Sequence, residues 1–174
     1  MPRQTAPAAL YTPEQKVRRD ESVWTLIQGV LAPLQFVVFL VSLSMVVRAL
    51  WTGEGHEWAM LSVVVKTMVL YLIMITGCIW EKVVFDKYLF APAFFWEDVF
   101  SMLVLSLHTL YLYVWWTASL PIEQQHWLAL AAYATYVVNA GQFLIKLRAA
   151  RLQHAAMTSQ TPAPLATLST EARA

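Results

Sequence analysis

Residues 76–112 read TGCIWEKVVFDKYLFAPAFFWEDVFSMLVLSLHTLYL, and this segment decides how the chain is built. It joins two strongly apolar stretches and carries Glu81, Lys82, Glu97, Asp98 and His108 in or beside them. An ionisable side chain in bilayer hydrocarbon costs about 2.5 kcal/mol or more on insertion scales, so such residues usually face a bundle interior and pair with something. The first hypothesis is therefore a carboxylate-rich, aromatic-lined site at a membrane edge.

The composition of the whole chain is that of an integral membrane protein. The chain has 174 residues, of which 59% are hydrophobic and only 13% are charged, whereas soluble domains carry about 25% charged residues. A net charge of +1 gives no electrostatic basis for binding nucleic acid. Because Cys78 is the single cysteine, an intramolecular disulfide and a multi-cysteine zinc site are both excluded.

Four apolar stretches each approach the roughly 20 residues that a spanning helix needs. They predict an all-α membrane protein, a bundle of four transmembrane helices in a domain covering residues 23–147. Residues 1–22 are predicted to be a polar N-terminal segment without a cleavable signal peptide, and residues 148–174 a basic stop followed by a disordered tail. Pro33 is a candidate kink in the first span. The predicted spans are Val23–Trp51, Trp58–Trp80, Phe94–Thr117 and Trp127–Leu147.

The distribution of basic residues predicts the orientation, because cytoplasmic loops carry the excess of lysine and arginine. On the opposite side of the predicted bundle lies only Arg48, and Lys66 lies inside the second span. Both termini and the connection between the second and third spans are therefore expected in the cytoplasm. The remaining basic residues all belong to that side: Arg3, Lys16, Arg18, Arg19, Lys82, Lys87, Lys146, Arg148, Arg151 and Arg173.

Each predicted span places one polar residue near mid-membrane: Gln35, Lys66, His108 and Asn139. These residues either form interhelical hydrogen bonds, worth about 0.6 kcal/mol each, or build one polar cluster with a function. An isolated ammonium is not tolerated at that depth, so Lys66 must be neutral, paired or hydrated. On the fourth span, Asn139 continues through Gln142 and Lys146 on one helical face.

His108 is the only histidine within a predicted span, so a bis-histidine haem is not expected. Its open alternatives are an axial ligand to a metal-centred macrocycle, a proton carrier, or a hydrogen-bonded packing residue. Glu81 is expected to end the second helix and Glu97 and Asp98 to begin the third, at one membrane border. Crowded carboxylates cannot all ionise, and one that keeps its proton can act as a general acid. The alternative is that Glu97 and Asp98 are simply stabilised by the dipole at the start of their helix, and that Lys82 pairs with one of them.

Three segments resemble the vinyl (bacterio)chlorophyllide hydratase family of bacteriochlorophyll synthesis. They are Tyr11–Leu43 (YTPEQKVRRDESVWTLIQGVLAPLQFVVFLVSL), Ile79–Val104 (IWEKVVFDKYLFAPAFFWEDVFSMLV) and Leu128–Arg151 (LALAAYATYVVNAGQFLIKLRAAR). The resemblance implies a hydro-lyase that adds water across the C3-vinyl group of a chlorophyllide-type pigment to give a 1-hydroxyethyl group. It implies no cofactor, since the magnesium belongs to the substrate, and it places the chain in a bacterial inner or intracytoplasmic photosynthetic membrane.

Within that reading Glu97 is the expected general acid, tuned by Glu81 and Asp98, and His108 ligates the substrate magnesium or takes part in proton transfer. The expected partners are the pigment, membrane lipid, and either a second copy or other enzymes of the same synthesis. The residues expected to bind the pigment are basic, amide and aromatic side chains: Lys66, Lys82, Lys87, Lys146, Asn139, Gln142, Trp80, Phe95 and Trp96.

Two other functions fit the same residues. A carrier or assembly protein would bind chlorophyllides without changing them, and a proton-coupled membrane protein would use Lys66, His108 and Glu97 as a relay. Four helices without an inverted repeat disfavour a transporter.

Overall fold

The computed structural model describes residues 10–160, with side chains as far as Leu152. Over that range the regular secondary structure is entirely helical, without strands. The all-α prediction is confirmed. The helices are α1 (Pro13–Glu21), α2 (Val23–Thr52), α3 (His56–Phe85), α4 (Phe95–Thr117) and α5 (Ile122–Gln160).

Four of these helices are long and apolar enough to cross a membrane: α2, α3, α4 and the part of α5 from Ile122 to Leu152. Their outer surfaces expose leucine and valine, as lipid-facing surfaces do. Four exposed tryptophans cluster at one end of the bundle, near one end of each long helix, where an interfacial aromatic belt is expected: Trp51, Trp58, Trp116 and Trp127.

The four long helices form two antiparallel hairpins, α2 with α3 and α4 with α5, which meet mainly through α2 and α5. One end of the bundle holds α1 and the connection between α3 and α4, and is called here the α1 end. There Gln28 of α2 hydrogen-bonds Thr76 of α3 at 2.7 Å. The opposite end, called the loop end, holds the short connections after α2 and α4.

Between the two ends the core is aromatic and polar as well as aliphatic. Phe39 of α2 packs against Tyr133 and Tyr136 of α5, with ring centroids 5.4 and 5.0 Å apart. The Tyr133 hydroxyl is 2.5 Å from the Ser42 hydroxyl, so a buried polar contact accompanies the ring packing. Buried polar groups need such partners, because an unpaired one costs about as much as a lost hydrogen bond.

The helix boundaries differ from prediction in three places. α1 was not predicted, although Thr12 and Gln15 form a capping box and Pro13 occupies the first turn. α3 continues past Trp80 and ends at Phe85. It is capped by Asp86, whose backbone is left-handed (φ 61°) and whose N–H donates to the Lys82 carbonyl. Glu81 therefore lies inside α3 and does not end it.

α5 is longer than the predicted fourth span at both ends. It begins directly after Pro121 and continues as helix to Gln160, well beyond residue 148, where the basic stop was predicted to begin. α2 runs unbroken through Pro33. Residues 1–9 of the predicted N-terminal segment and residues 161–174 of the predicted C-terminal tail lie outside the described residues.

Candidate active site

Three carboxylates are buried together at the α1 end, where α3 finishes and α4 begins. Glu81 is 5% exposed, Glu97 7% and Asp98 5%. Glu97 and Asp98 occupy the first turn of α4, where the helix dipole favours negative charge. The predicted convergence of the three acids on one border is therefore what the fold produces, with all three side chains turned inward.

Glu97 has a cationic partner. Lys146 of α5 donates to Glu97 Oε2 at 2.6 Å, and the same ammonium lies 5.0 Å from the centroid of the Phe94 ring. The lysine side chain is 27% exposed and the glutamate side chain 10%. This pair ties α4 to α5 and compensates the charge of Glu97.

Glu81 and Asp98 form a different kind of pair. Their carboxyl groups are neighbours across α3 and α4, close enough for each to act on the charge of the other. Asp98 Oδ2 also accepts the backbone N–H of Phe90 at 2.7 Å, while Glu81 Oε2 is buried and receives no hydrogen bond from the described residues. Two neighbouring buried carboxyl groups are expected to hold one proton between them, because two negative charges that close repel each other.

The connection from α3 to α4 wraps these carboxyls. Phe90 has a left-handed backbone (φ 58°), a conformation uncommon outside glycine, asparagine and aspartate. The hydrogen bond from its N–H to Asp98 holds it there. At the start of the connection, Asp86 accepts from Arg18 of α1 at 3.2 Å and lies 3.5 Å from Lys82, and the Arg18 hydrogen bond holds the pKa of the Asp86 carboxyl below its ordinary value.

Aromatic rings surround the same region in two groups. The inner cluster consists of Tyr11, Trp80, Phe85, Phe94 and Phe143, with neighbouring centroids 5.7 to 5.8 Å apart. The outer group faces away from the bundle, is exposed, and consists of Tyr88, Phe90, Phe95 and Trp96. A flat apolar ligand approaching the carboxyls from the membrane would meet the outer group first.

Toward mid-bundle the polar residues form a second layer. Asn139 Nδ2 donates to the Ser101 hydroxyl at 2.9 Å. Asn139 Oδ1, Gln142 Oε1 and Gln35 Oε1 are buried without a hydrogen-bond partner in the described part of the chain. Asn139, Gln142 and Lys146 follow each other at helical spacing on α5, so the two amides approach the carboxylates along one face.

Lys66 and His108 lie deeper still, and each is fully buried. Lys66 Nζ is 2.8 Å from His108 Nε2 and 4.1 Å from the centroid of the Tyr136 ring. His108 Nδ1 is 2.8 Å from the Val104 carbonyl. Both ring nitrogens are thus engaged, which does not support the predicted role of His108 as a magnesium ligand.

Two surface cavities lie away from the carboxylates. One, of about 440 Å³, is lined by α3 and α4 residues such as Met68 and Trp116, and the other, of about 310 Å³, by α2 and α3 residues such as Met45 and Trp58. Both are shallow apolar grooves toward the loop end. They offer lipid-like contacts and no acid or base, so the buried carboxylates remain the chemically competent region.

The sequence matches the family model described as 2-vinyl bacteriochlorophyllide hydratase (BCHF) over residues 11–149. The chain belongs to this family. A 2-vinyl bacteriochlorophyllide hydratase of Rhodobacter capsulatus is 60% identical over 160 residues, covering 92% of this chain and 93% of the relative. One of Cereibacter sphaeroides is 62% identical over 152 residues, covering 85% and 94%. No solved structure matches the chain.

The region matched to the 2-vinyl bacteriochlorophyllide hydratase family contains α1, the carboxylates and Lys146. The fold brings together Glu81, Glu97, Asp98 and Lys146, with Trp80 in the inner aromatic cluster beside them. Lys82 does not pair with Glu97 or Asp98, as one alternative expected, but with Asp86, because Glu81 and Lys82 lie within α3 and point to different sides.

Other residues of the predicted site lie outside that group. Lys87, Phe95 and Trp96 are exposed at the border, while Lys66 and His108 are sealed in mid-bundle. Sequence reasoning missed the parts that loop geometry and helix rotation supply: the Phe90 backbone donor, Phe143 in the inner cluster, and the docking of α1 through Arg18. Only α1 had a local signal, its capping box.

Proposed function

We propose that this chain adds water across the vinyl group of a 2-vinyl bacteriochlorophyllide to give the hydroxyethyl pigment. Family membership along residues 11–149 carries the proposal, and the buried carboxylates give it a chemical basis. The chain is a hydro-lyase of bacteriochlorophyll synthesis.

Hydration of an unactivated vinyl group begins when a proton adds to the terminal carbon and the π electrons form the new C–H bond. The adjoining carbon becomes a cation whose charge the conjugated macrocycle spreads. A water oxygen then attacks that carbon, and a base takes the proton that the water releases. The protein must supply a strong enough acid, a negative field near the cation and a placed water.

The Glu81–Asp98 pair is the better proton source. Glu97 was the expected acid, but its Oε2 is already engaged by the Lys146 ammonium at 2.6 Å. Glu81 instead faces a second carboxyl, and its Oε2 is buried without a partner in the described chain. The pair donates its shared proton to the terminal vinyl carbon. The negative charge that this leaves on the pair stabilises the cation. The pair then takes a proton from the attacking water.

Polar groups on α4 and α5 place that water. Asn139 and Gln142 each keep a buried amide oxygen free, and Ser101 holds the amide of Asn139 at 2.9 Å. A water molecule donating to these oxygens would present its own oxygen to an electrophile. We assign Glu97, which is paired with Lys146, to the electrostatic stabilisation of the cation.

The pigment binds at the α1 end, with its ring against Phe95 and Trp96 and its vinyl edge directed past the connection toward Glu81. Trp80 closes the inner wall. Lys82 or Lys87 at the border binds the free propionate, since charged groups of an amphiphilic pigment stay at the interface. Lys66 and His108 clamp α3 to α4 and do not touch the pigment.

The α1 end faces the cytoplasm, with both termini on that side, because the basic residues concentrate there. The chain lies in the inner or intracytoplasmic membrane, surrounded by lipid. Four helices enclose little of a macrocycle, so a second copy or a neighbouring enzyme of the same synthesis covers the remaining face. These placements rest on the charge distribution and on the exposed outer aromatic group.

Purified protein incubated with a vinyl bacteriochlorophyllide in heavy-oxygen water tests the proposal. The expected product has gained one water and carries the heavy oxygen at the new hydroxyl. A carrier would return the pigment unchanged although it co-purifies with the protein, and that outcome would overturn the hydratase assignment.

A further inference from the structure

We propose that the loop end of the bundle carries a divalent-metal site whose ligands are His56 and His126. His56 is the first residue of α3, and His126 lies in the second turn of α5. Their rings meet edge to face, with centroids 5.0 Å apart and planes at 77°. The site lies at the opposite end of the bundle from the carboxylates and is independent of the hydration chemistry.

The tautomer of His126 is fixed by its surroundings. Nδ1 is 2.7 Å from the Ile122 carbonyl, and a carbonyl can only accept, so Nδ1 carries the proton. The lone pair is therefore on Nε2, which is buried without a partner in the described chain, in a residue that is only 1% exposed. Metal-binding histidines show this arrangement, in which one ring nitrogen donates to a backbone carbonyl and the other is left for the ion.

Two more buried polar atoms at the loop end have no hydrogen-bond partner in the described part of the chain. His56 Nδ1 has no hydrogen-bond partner among the described residues. Gln125, 5% exposed, donates through Nε2 to the Leu120 carbonyl at 2.9 Å, and its Oε1 is buried with no partner in the same part of the chain. Unpaired buried acceptors are costly, and a cation satisfies them directly.

The spacing of the rings fits a shared ion. A zinc-bound imidazole has Zn–N of about 2.1 Å and a ring centroid roughly 3 Å from the metal, so two such rings at the tetrahedral angle stand about 5 Å apart. The observed separation is 5.0 Å. A hydrogen bond between the rings would need a donor and an acceptor nitrogen to face each other, and neither free nitrogen has a partner in the described chain.

The local charge also suits a cation. Glu57 lies in the first turn of α3 and Glu123 in the first turn of α5. Their charges offset the positive helix dipoles that would otherwise repel a metal. Two imidazoles and an amide oxygen select a borderline ion such as Zn²⁺ over Mg²⁺ or Ca²⁺, which prefer carboxylates and water.

The described residues bring together no group of three or more histidine, cysteine or acidic side chains. Water therefore completes the coordination, and the ion binds less tightly than in a fully ligated structural site. Its role is to link α3 with α5, two helices that make few other contacts.

Zinc binding by the full-length protein in detergent tests the inference. The chelator-stripped protein is dialysed against graded Zn²⁺ and analysed for metal, and Co²⁺ substitution is followed by visible absorption. We expect one ion per chain, a raised melting temperature with Zn²⁺, and an affinity at least about tenfold lower in His56→Ala and His126→Asn. The asparagine introduced by the second change would keep a donor for the Ile122 carbonyl while removing the free ring nitrogen, and circular dichroism checks the fold of that variant.

His154→Ala is the matched control for adventitious binding by a histidine elsewhere, and it should bind like the wild type. Absence of stoichiometric zinc would overturn the inference. So would binding that survives in His56→Ala and His126→Asn or disappears in His154→Ala. Because the assay uses no pigment, its outcome is independent of the hydratase assignment.

Discussion

Replacing Glu81 with glutamine is expected to slow hydration more than any other single carboxyl-to-amide change. Glutamine has nearly the same size, so the packing of α3 against α4 persists and Asp98 keeps its bond from Phe90 N–H at 2.7 Å. What is lost is the shared proton. General acid catalysis contributes about 10²–10⁴-fold, so the rate should fall by that factor, or roughly 3–5 kcal/mol in activation free energy.

The assay is single-turnover hydration by detergent-solubilised protein, with the product resolved by chromatography. Glu97→Gln is the informative comparison, because it removes a carboxylate that stabilises the cation but does not supply the proton, and it should retain more activity than Glu81→Gln. Glu123→Gln, exposed at the loop end, should match the wild type. If folded, pigment-binding Glu81→Gln hydrates at the wild-type rate, the assignment of the proton source is wrong.

Three further changes test other contacts. Lys146→Met strands the buried Glu97 carboxylate and should lower stability by about 2 kcal/mol, less than for a fully buried pair because the lysine is partly exposed; thermal melting would show it, and adding Glu97→Gln should restore part of the loss. Phe94→Ala removes a ring from the inner cluster and should cost about 3 kcal/mol in the same assay. Because its pKa is lowered, ionised Asp86 stabilises the docking of α1 at pH values above the ordinary aspartate pKa. This stabilisation is lost as the pH falls through the lowered pKa of Asp86. Carboxyl NMR of Asp86 should give a low midpoint that Arg18→Ala raises, and an unchanged midpoint would contradict the contact.

Hydrophobic runs and the cost of buried charge predicted the spans and the inward position of the acids, because both follow from chain composition. The cost of burying an ammonium predicted that Lys66 needs a partner, and His108 supplies it at 2.8 Å. That pairing itself could not be predicted, since it depends on the rotation and depth of two helices.

The partners of the carboxylates could not be predicted from the sequence either. Spacing placed Glu97 and Asp98 next to each other, yet one turns to Lys146 and the other to Glu81. Which carboxyl meets the lysine depends on how α5 packs on α4. The left-handed backbone at Phe90, which aims its N–H at Asp98, has no signature in a non-glycine residue.

The infrared spectrum of the protein at neutral pH is the most direct test of the shared proton. A protonated carboxyl has a carbonyl stretch well separated from that of a carboxylate, and the band shifts in heavy water. We predict one such band that disappears in both Glu81→Gln and Asp98→Asn and remains in Glu97→Gln. A spectrum without the band, or a band lost only in Glu97→Gln, would contradict the account.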